Sequence, residues 1–150
     1  MTKHILVPTD GSKLSLKAAK EAAALARSLK AKVTALYVRE PWIPPMLMEG
    51  QMVRNTLAED EAAYSAATEK LAQAALKKVQ MAVAADRVKC DAVSFMATQP
   101  WEGIITVARR RKCDLVVMAS HGRGVIAGAL LGSVTAKVLS ESKIPVLVCR

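Results

Sequence analysis

Short, continuous runs of apolar residues alternate along the chain with longer segments in which apolar residues recur every three or four positions. The short runs, at 4–7, 32–38, 88–98, 114–120 and 144–149, are typical of strands that are buried on both faces. The longer segments, at 12–30, 57–85, 99–112 and 133–142, have the periodicity of helices. The pattern therefore predicts the order β-α-β-α-β-α-β-α-β.

Strands that alternate with helices form a parallel sheet with right-handed crossovers and helices on both faces. The chain of 150 residues has the length of one domain, and we see no linker or internal repeat in it. We therefore predict a single α/β domain over residues 1–150. Segment 57–85 would exceed about 40 Å as one helix, so we expect it to begin late, fray or bend. The proline-containing segment 39–56 predicts a long loop.

The composition excludes several classes of protein. Apolar residues make up 52% of the chain, which excludes a disordered tail, and no apolar run is long enough to span a membrane. The N-terminus does not have the pattern of a signal peptide. Cys90, Cys113 and Cys149 are odd in number and lack metal-binding spacing, which argues against a zinc site or a disulfide framework. We therefore expect a cytoplasmic protein without a membrane partner.

The positive net charge of the chain favours anionic ligands. Lys and Arg number 22 against 13 Asp and Glu, a formal net charge of +9. The basic residues are spread along the chain, and the densest run, 109–112, falls at a predicted helix end, where cations complement the helix dipole. Aromatic residues are only 3%, too few for a base-stacking platform. The sequence thus disfavours a nucleic-acid partner but leaves it open.

The segment after the fourth predicted strand is the strongest candidate for ligand binding, because ligands of open parallel sheets collect at the carboxyl ends of strands. It contains two glycine clusters, Gly122-Arg123-Gly124 and Gly132-Ser133, and the second opens the last helix. Glycine lets backbone N–H groups approach phosphate oxygens, and a helix start adds unpaired donors. A dinucleotide-type G-x-G-x-x-A at 122–127 follows the wrong strand and lacks its acidic partner, and a P-loop spacing is absent.

The segment KHILVPTDGS near the N-terminus and the C-terminal DLVVMASHGRG…LLGSVTAKVLSESKIPVLVCR together resemble the universal stress protein family over essentially the whole chain. The resemblance implies a five-stranded parallel sheet in the order 3-2-1-4-5, a Rossmann-like fold of the adenine nucleotide alpha hydrolase-like kind, and a homodimer. It also implies ATP or another adenine nucleotide as ligand, with Mg²⁺ as the accompanying ion. The implied role is that of a regulator or sensor in stress response rather than an enzyme.

The nucleotide-binding positions implied by the resemblance follow the first, second and fourth predicted strands: Pro8, Thr9, Asp10, Val38, Met118, Ala119, His121, Gly122, Arg123, Gly132, Ser133 and Val134. Asp10 would meet the ribose, Val38 would meet adenine through its backbone, and the glycine clusters would surround the phosphates. Ala119 stands where the family's ATP-binding signature has its first glycine. A methyl group there costs about 1–2 kcal/mol if the position needs left-handed backbone, and almost nothing in strand geometry.

Structural roles compete with these assignments. Asp10 or Ser12 could simply cap the first helix, and Ser133 could cap the last one while also binding phosphate. The neighbours Ser120 and His121 are expected to point apart, without a third partner, so they predict no catalytic pair. A nucleotide-free dimeric interaction module of the same fold remains the alternative function.

The final strand predicts a dimer. It is apolar up to Arg150 and lies at the sheet edge in the implied order, where an unpaired apolar strand invites association. Antiparallel pairing with a second copy would cover it, through the interface residues Ile144, Val146, Leu147, Val148 and Cys149. The apolar segment 41–48 is a candidate cover for adenine, or packs on the body through Trp42. The sequence names no protein partner.

Overall fold

A computed structural model describes residues 1–44, 53–123 and 130–150. The elements, in chain order, are β1 (His4–Pro8), α1 (Lys13–Leu29), β2 (Lys32–Arg39), α2 (Val53–Ala85), β3 (Cys90–Met96), α3 (Pro100–Arg110), β4 (Leu115–Ala119), α4 (Ser133–Glu141) and β5 (Val146–Cys149). The strands form one five-stranded parallel sheet in the order β3-β2-β1-β4-β5. The predicted fold class and strand order are confirmed.

Helix α1 begins and ends at well-defined caps. The Ser12 side chain accepts a hydrogen bond from the backbone N–H of Ser15, and Lys30 closes the helix in a left-handed conformation at φ 54°. Ser12 therefore acts as the N-cap, as its residue type favours. Asp10 lies outside the helix, so capping does not account for it.

Helix α2 is one uninterrupted element of 33 residues, about 50 Å long. It begins at Val53, so the expected late start and the last four residues of the predicted loop are wrong. Residues 58–67 are exposed, whereas the second half is anchored by buried residues such as Leu76, Val79 and Val83. Residues 45–52 lie outside the described part of the chain, so the role expected for segment 41–48 stays a prediction; Trp42 is half-buried.

The sheet separates two apolar cores. Ile5 and Val7 of β1 pack with alanines of α1 and with Val79 of α2, whereas Leu6 faces Ile104 of α3 on the opposite side. Alternate strand residues point to opposite faces, and β1 is buried along its whole length because it lies at the centre of the sheet. The carboxyl end of this rigid central strand positions the candidate site.

Candidate functional site

A cavity of about 340 Å³ lies at the carboxyl ends of β1, β2 and β4. The chain order of the strands reverses here, because β1 is followed by β2 on one side and flanked by β4 on the other. Its volume lies within the usual range for small-molecule sites. The lining includes every predicted nucleotide-binding residue: Pro8, Thr9, Asp10, Val38, Met118, Ala119, His121, Gly122, Arg123, Gly132, Ser133 and Val134.

The cavity also has walls that the sequence did not indicate. The additional lining residues are Ser15, Leu36, Tyr37, Glu40, Pro100, Ile104 and Thr135. Pro100 and Ile104 belong to the start of α3, which follows β3, and β3 borders β2 in the sheet. The shared edge of parallel strands places the start of α3 near the cavity, but which of its residues reach the lining depends on how the helix packs. Ser15 and Thr135 enter because each occupies the first turn of a helix that starts at this edge.

Asp10 joins the two loops that border the cavity. Its Oδ1 accepts the N–H of Ser12 at 2.9 Å, and its Oδ2 accepts the N–H of Arg123 at 2.8 Å. Burial by itself raises the pKa of the Asp10 carboxyl, but hydrogen bonds from Ser12, Ser15 and Arg123 outweigh burial and hold the pKa below its usual value. Asp10 is therefore a firmly ionised acceptor that faces the cavity.

Two glycines allow the close approach of these loops. A Cβ on Gly122 would lie 2.6 Å from Oδ2 of Asp10, a distance that forces something to move. Gly11 adopts φ +82°, and a Cβ there would lie 2.7 Å from Nη2 of Arg123. The guanidinium of Arg123 thus lies over the turn that follows β1, while its backbone N–H holds Asp10.

The N-terminus of α4 opens onto the cavity. Gly132 is the N-cap, without a side-chain hydrogen bond, and its N–H donates to the carbonyl of Ser120 at 2.7 Å. Ser133 is the first residue of the helix, so the expectation that Ser133 is the cap is wrong. The first turn of a helix leaves backbone N–H groups without intrahelical partners. Ser133 and Val134 lie at the cavity wall, and backbone N–H groups in this position of a helix are suited to an anion.

Ala119 has strand geometry. It is the last residue of β4 and is buried, and its carbonyl accepts the Thr135 hydroxyl at 2.9 Å. Among the described residues, left-handed backbone occurs at Gly11, Lys30, Arg87 and Lys112, and not at Ala119. The methyl group in place of the signature glycine therefore causes no backbone strain.

The chain is similar to known proteins along its whole length. The model of the universal stress protein family matches residues 1–150. The chain belongs to the universal stress protein family. Its relatives include the universal stress protein MJ0531 of Methanocaldococcus jannaschii, 33% identical over 99% of this chain and 82% of the relative. A universal stress protein of Thermus aquaticus is 30% identical over the full length of both chains.

Solved structures of universal stress proteins have the same fold. The hypothetical protein MJ0577, whose biochemical function was assigned from its structure, matches with a TM-score of 0.80 and 28% identity, over 99% of this chain and 95% of that chain. A universal stress protein in complex with cAMP matches with a TM-score of 0.71 and 26% identity, over 99% of this chain and 97% of that chain.

In this universal stress protein, Ser120 and His121 contact one another. The Ser120 hydroxyl lies 2.9 Å from Nδ1 of His121, so the expectation that the two side chains point apart is wrong. Ser120 is only 2% exposed and is absent from the cavity lining. The Ser120 hydroxyl therefore contacts the His121 ring from the buried side of the ring and does not reach a ligand in the cavity.

Strand β5 lies at the sheet edge, as the resemblance implies. Ile144 and Val146 pack on the core beneath α3 and α4, and Cys149 packs on the opposite core. Leu147 is 44% exposed and borders a groove beside α1. The edge strand thus carries an exposed apolar residue on the face where α1 lies.

Residues 1–44, 53–123 and 130–150 lack two kinds of feature. No group of three or more His, Cys, Asp and Glu side chains there could hold a metal ion. No helix in those ranges has both the length and the apolar character needed to cross a bilayer. The three cysteines are free.

Proposed function

We propose that this universal stress protein binds ATP or another adenine nucleotide in the cavity above β1, β2 and β4. The observation that carries the proposal is the convergence of an ionised acceptor, Asp10, and an anion-binding helix N-terminus, at Ser133, on one cavity. The cAMP complex of a relative that is 26% identical supports a nucleotide as the ligand. In this account the protein is a homodimeric regulator or sensor in the cytoplasmic stress response.

Asp10 is suited to bind ribose. A carboxylate has about four lone-pair sites, and backbone N–H groups of Ser12 and Arg123 occupy one on each oxygen. The remaining sites accept hydrogen bonds from ribose hydroxyls. Because no group of three or more His, Cys, Asp and Glu side chains among the described residues could hold a metal ion, an accompanying Mg²⁺ would be held chiefly by the nucleotide phosphates, as Mg²⁺ often is.

The two ends of the cavity differ in chemistry. Near the end of β2 the apolar side chains of Leu36 and Val38 line the cavity beside Glu40 and suit an adenine ring. At the other end lie Arg123 and the first turn of α4, where backbone donors and the positive end of the helix dipole suit phosphate. An adenine nucleotide spans both ends.

Binding rather than turnover is the activity we assign to the site. A carboxylate whose pKa is held low is a weak general base, and Asp10 is such a group. The Nδ1 atom of His121 is engaged by Ser120. Any hydrolysis of the bound nucleotide is therefore slow.

The test is calorimetric titration of nucleotide-free protein with Mg-ATP and with adenosine, for the wild type, Ser133→Asp and Ser133→Asn. An Asp in the first turn of α4 favours the helix but repels phosphate. We expect Ser133→Asp to lose ATP affinity by tenfold or more while it keeps adenosine affinity, whereas Ser133→Asn keeps both. Absence of ATP binding by the wild type at millimolar concentration, or an equal loss for adenosine, would overturn the proposal.

A further inference from the structure

A second feature of the molecule lies at the opposite edge of the sheet. Because all strands are parallel, their amino-terminal ends meet at one edge, away from the cavity. An exposed lysine or arginine adjoins the start of every strand. This basal surface consists of Lys3, Lys30, Lys32, Arg87, Lys89, Arg111, Lys112 and Lys143. The cations that are dispersed in sequence are therefore gathered by the fold.

Backbone hydrogen bonds place some of these cations side by side. The N–H of Lys32 donates to the carbonyl of Lys3 at 3.0 Å, and the N–H of Val33 donates to the carbonyl of Lys89 at 2.9 Å. Lys3, Lys32 and Lys89 thus begin three neighbouring strands, which are spaced about 4.8 Å apart. The three lysines therefore share one edge of the sheet.

Few carboxylates neutralise the basal surface. Asp86, Asp91, Asp114 and Glu141 are near the strand starts, and Asp114 accepts the backbone N–H groups of Lys3 and His4. The described residues form two ion pairs, Arg27–Asp86 and Arg39–Glu69, and neither includes a basal cation.

Helix dipoles explain only part of this arrangement. Lys30, Arg87 and Lys112 follow helix ends, where a cation is favourable. All three have positive φ, however, where a non-glycine residue costs about 1–2 kcal/mol. Lys3, Lys32 and Lys89 lie at strand starts beyond the last helical turn, and like charges on adjacent strands repel one another. The fold does not require lysines at the strand starts, so binding of an anionic ligand explains their presence better.

We propose that the basal surface binds the sugar–phosphate backbone of double-stranded nucleic acid without reading its bases. Five strands spaced about 4.8 Å apart form a row about 19 Å long, which matches roughly six base pairs of a linear polyanion. The low aromatic content opposes stacking on unpaired bases but does not bear on contacts to a duplex backbone.

A lipid surface fits less well. Surface-bound membrane proteins combine cations with large apolar side chains that insert among the lipids. An apolar anchor on the basal surface would have to lie close to the start of a strand. Among the described residues, Met1 is the one exposed large apolar residue that lies fewer than five positions before a strand. The basal surface thus offers many charges and, among the described residues, Met1 as its one exposed large apolar side chain.

The test is fluorescence anisotropy of a labelled duplex DNA of about 20 base pairs, titrated with protein from about 50 to about 200 mM salt. The basal variant combines Lys3→Gln, Lys32→Gln and Lys89→Gln. The matched control makes the same three charge changes at Lys70, Lys77 and Lys78, which are exposed on α2. Thermal unfolding checks that both variants are folded.

We expect the wild type to bind with affinity that falls steeply with salt. The basal variant should lose affinity about tenfold or more and have a salt slope smaller by about two to three, because each phosphate contact contributes about 0.9 to that slope. The control should change affinity by less than about threefold, and saturating ATP should leave duplex binding intact.

Four results would overturn the proposal: no binding at the lowest salt, equal losses in both variants, displacement of the duplex by ATP, or stronger binding to anionic phospholipid vesicles than to the duplex. Equal losses would mean that only net charge matters. Displacement would place the duplex phosphates in the cavity. Apart from displacement by ATP, these results do not depend on whether the cavity binds a nucleotide.

Discussion

The carboxylate of Asp10 accepts the backbone N–H of Arg123 at 2.8 Å, across 113 positions of sequence. Its other oxygen accepts the N–H of Ser12 in the turn after β1. One side chain therefore connects the loops that follow β1 and β4, the neighbouring strands from which the sheet extends in opposite directions. The site is held together before any ligand arrives, and this lowers the entropic cost of binding.

Gly122→Ala should disrupt this connection. The added Cβ would lie 2.6 Å from Oδ2 of Asp10 and would displace the carboxylate. We expect a loss of about 1–3 kcal/mol in the free energy of unfolding and a loss of nucleotide affinity. Urea unfolding and calorimetric titration measure the two effects.

A double-mutant cycle with Asp10→Ala isolates the contact. Without the carboxylate, Gly122→Ala should cost much less stability than it does in the wild type. If the cost is the same in both backgrounds, the Asp10 contact is not the reason why residue 122 is a glycine.

Ala119→Gly tests whether the departure from the family's glycine signature matters. Because Ala119 has strand geometry, we expect ATP affinity to change by less than about twofold, with a small loss of stability from the added backbone freedom. A gain of tenfold or more in a calorimetric titration would show that the methyl group obstructs the ligand.

His4 should make the protein sensitive to mild acid. It is 5% exposed, and its Nε2 lies 2.8 Å from the Thr34 hydroxyl. Burial, and then the charge of Lys32, lower the pKa of His4 from 6.5. Below pH 6.5 the unfolded chain takes up a proton that the folded state resists, so the free energy of unfolding falls as pH decreases towards the lower folded pKa.

Urea unfolding at about pH 7.5 and about pH 5.5 measures this loss of stability. His4→Gln should reduce the difference between the two pH values. Asp10 and Asp114 do not account for it, because the pKa of each carboxyl is held below 3.8 and acts in stronger acid. An unchanged pH dependence in the variant would assign the effect to another group.

Leu147→Lys tests the predicted dimer. Leu147 is 44% exposed on the edge strand β5, and a lysine there opposes strand pairing. We expect the wild type to sediment as a dimer and this variant as a monomer. Met96→Lys is the matched control, because Met96 is 49% exposed on the opposite edge strand β3. Loss of the dimer in both variants, or in the control alone, would contradict an interface at β5.

The sequence predicts the sheet well because its strands are short apolar runs bounded by Pro, Gly and Asp, such as HILVP before Thr9. It also predicts that the loops after β1 and β4 line the site, because parallel topology brings both loops to one edge; the individual lining residues come from the resemblance to the universal stress protein family. It misses Pro100 and Ile104, since their place at the cavity depends on how α3 packs across the sheet. Helix packing is a tertiary property that local patterns do not encode.

Two other features of the structure are not apparent from the pattern of the sequence. The start of α2 at Val53 is not marked by an apolar periodicity, so the prediction placed it four residues late. The convergence of Lys3, Lys32 and Lys89 is invisible in a linear reading, because widely separated segments contribute them. It follows at once when the parallel strands are aligned.

The most direct test of the nucleotide site is an amide chemical-shift map of the isotopically labelled protein during titration with Mg-ATP. We expect perturbations that saturate together at Asp10, Val38, Gly122 and Ser133, with none at Lys32 or Lys89 on the basal surface. Perturbations confined to residues outside the cavity, or a spectrum that does not change at millimolar ATP, would contradict it.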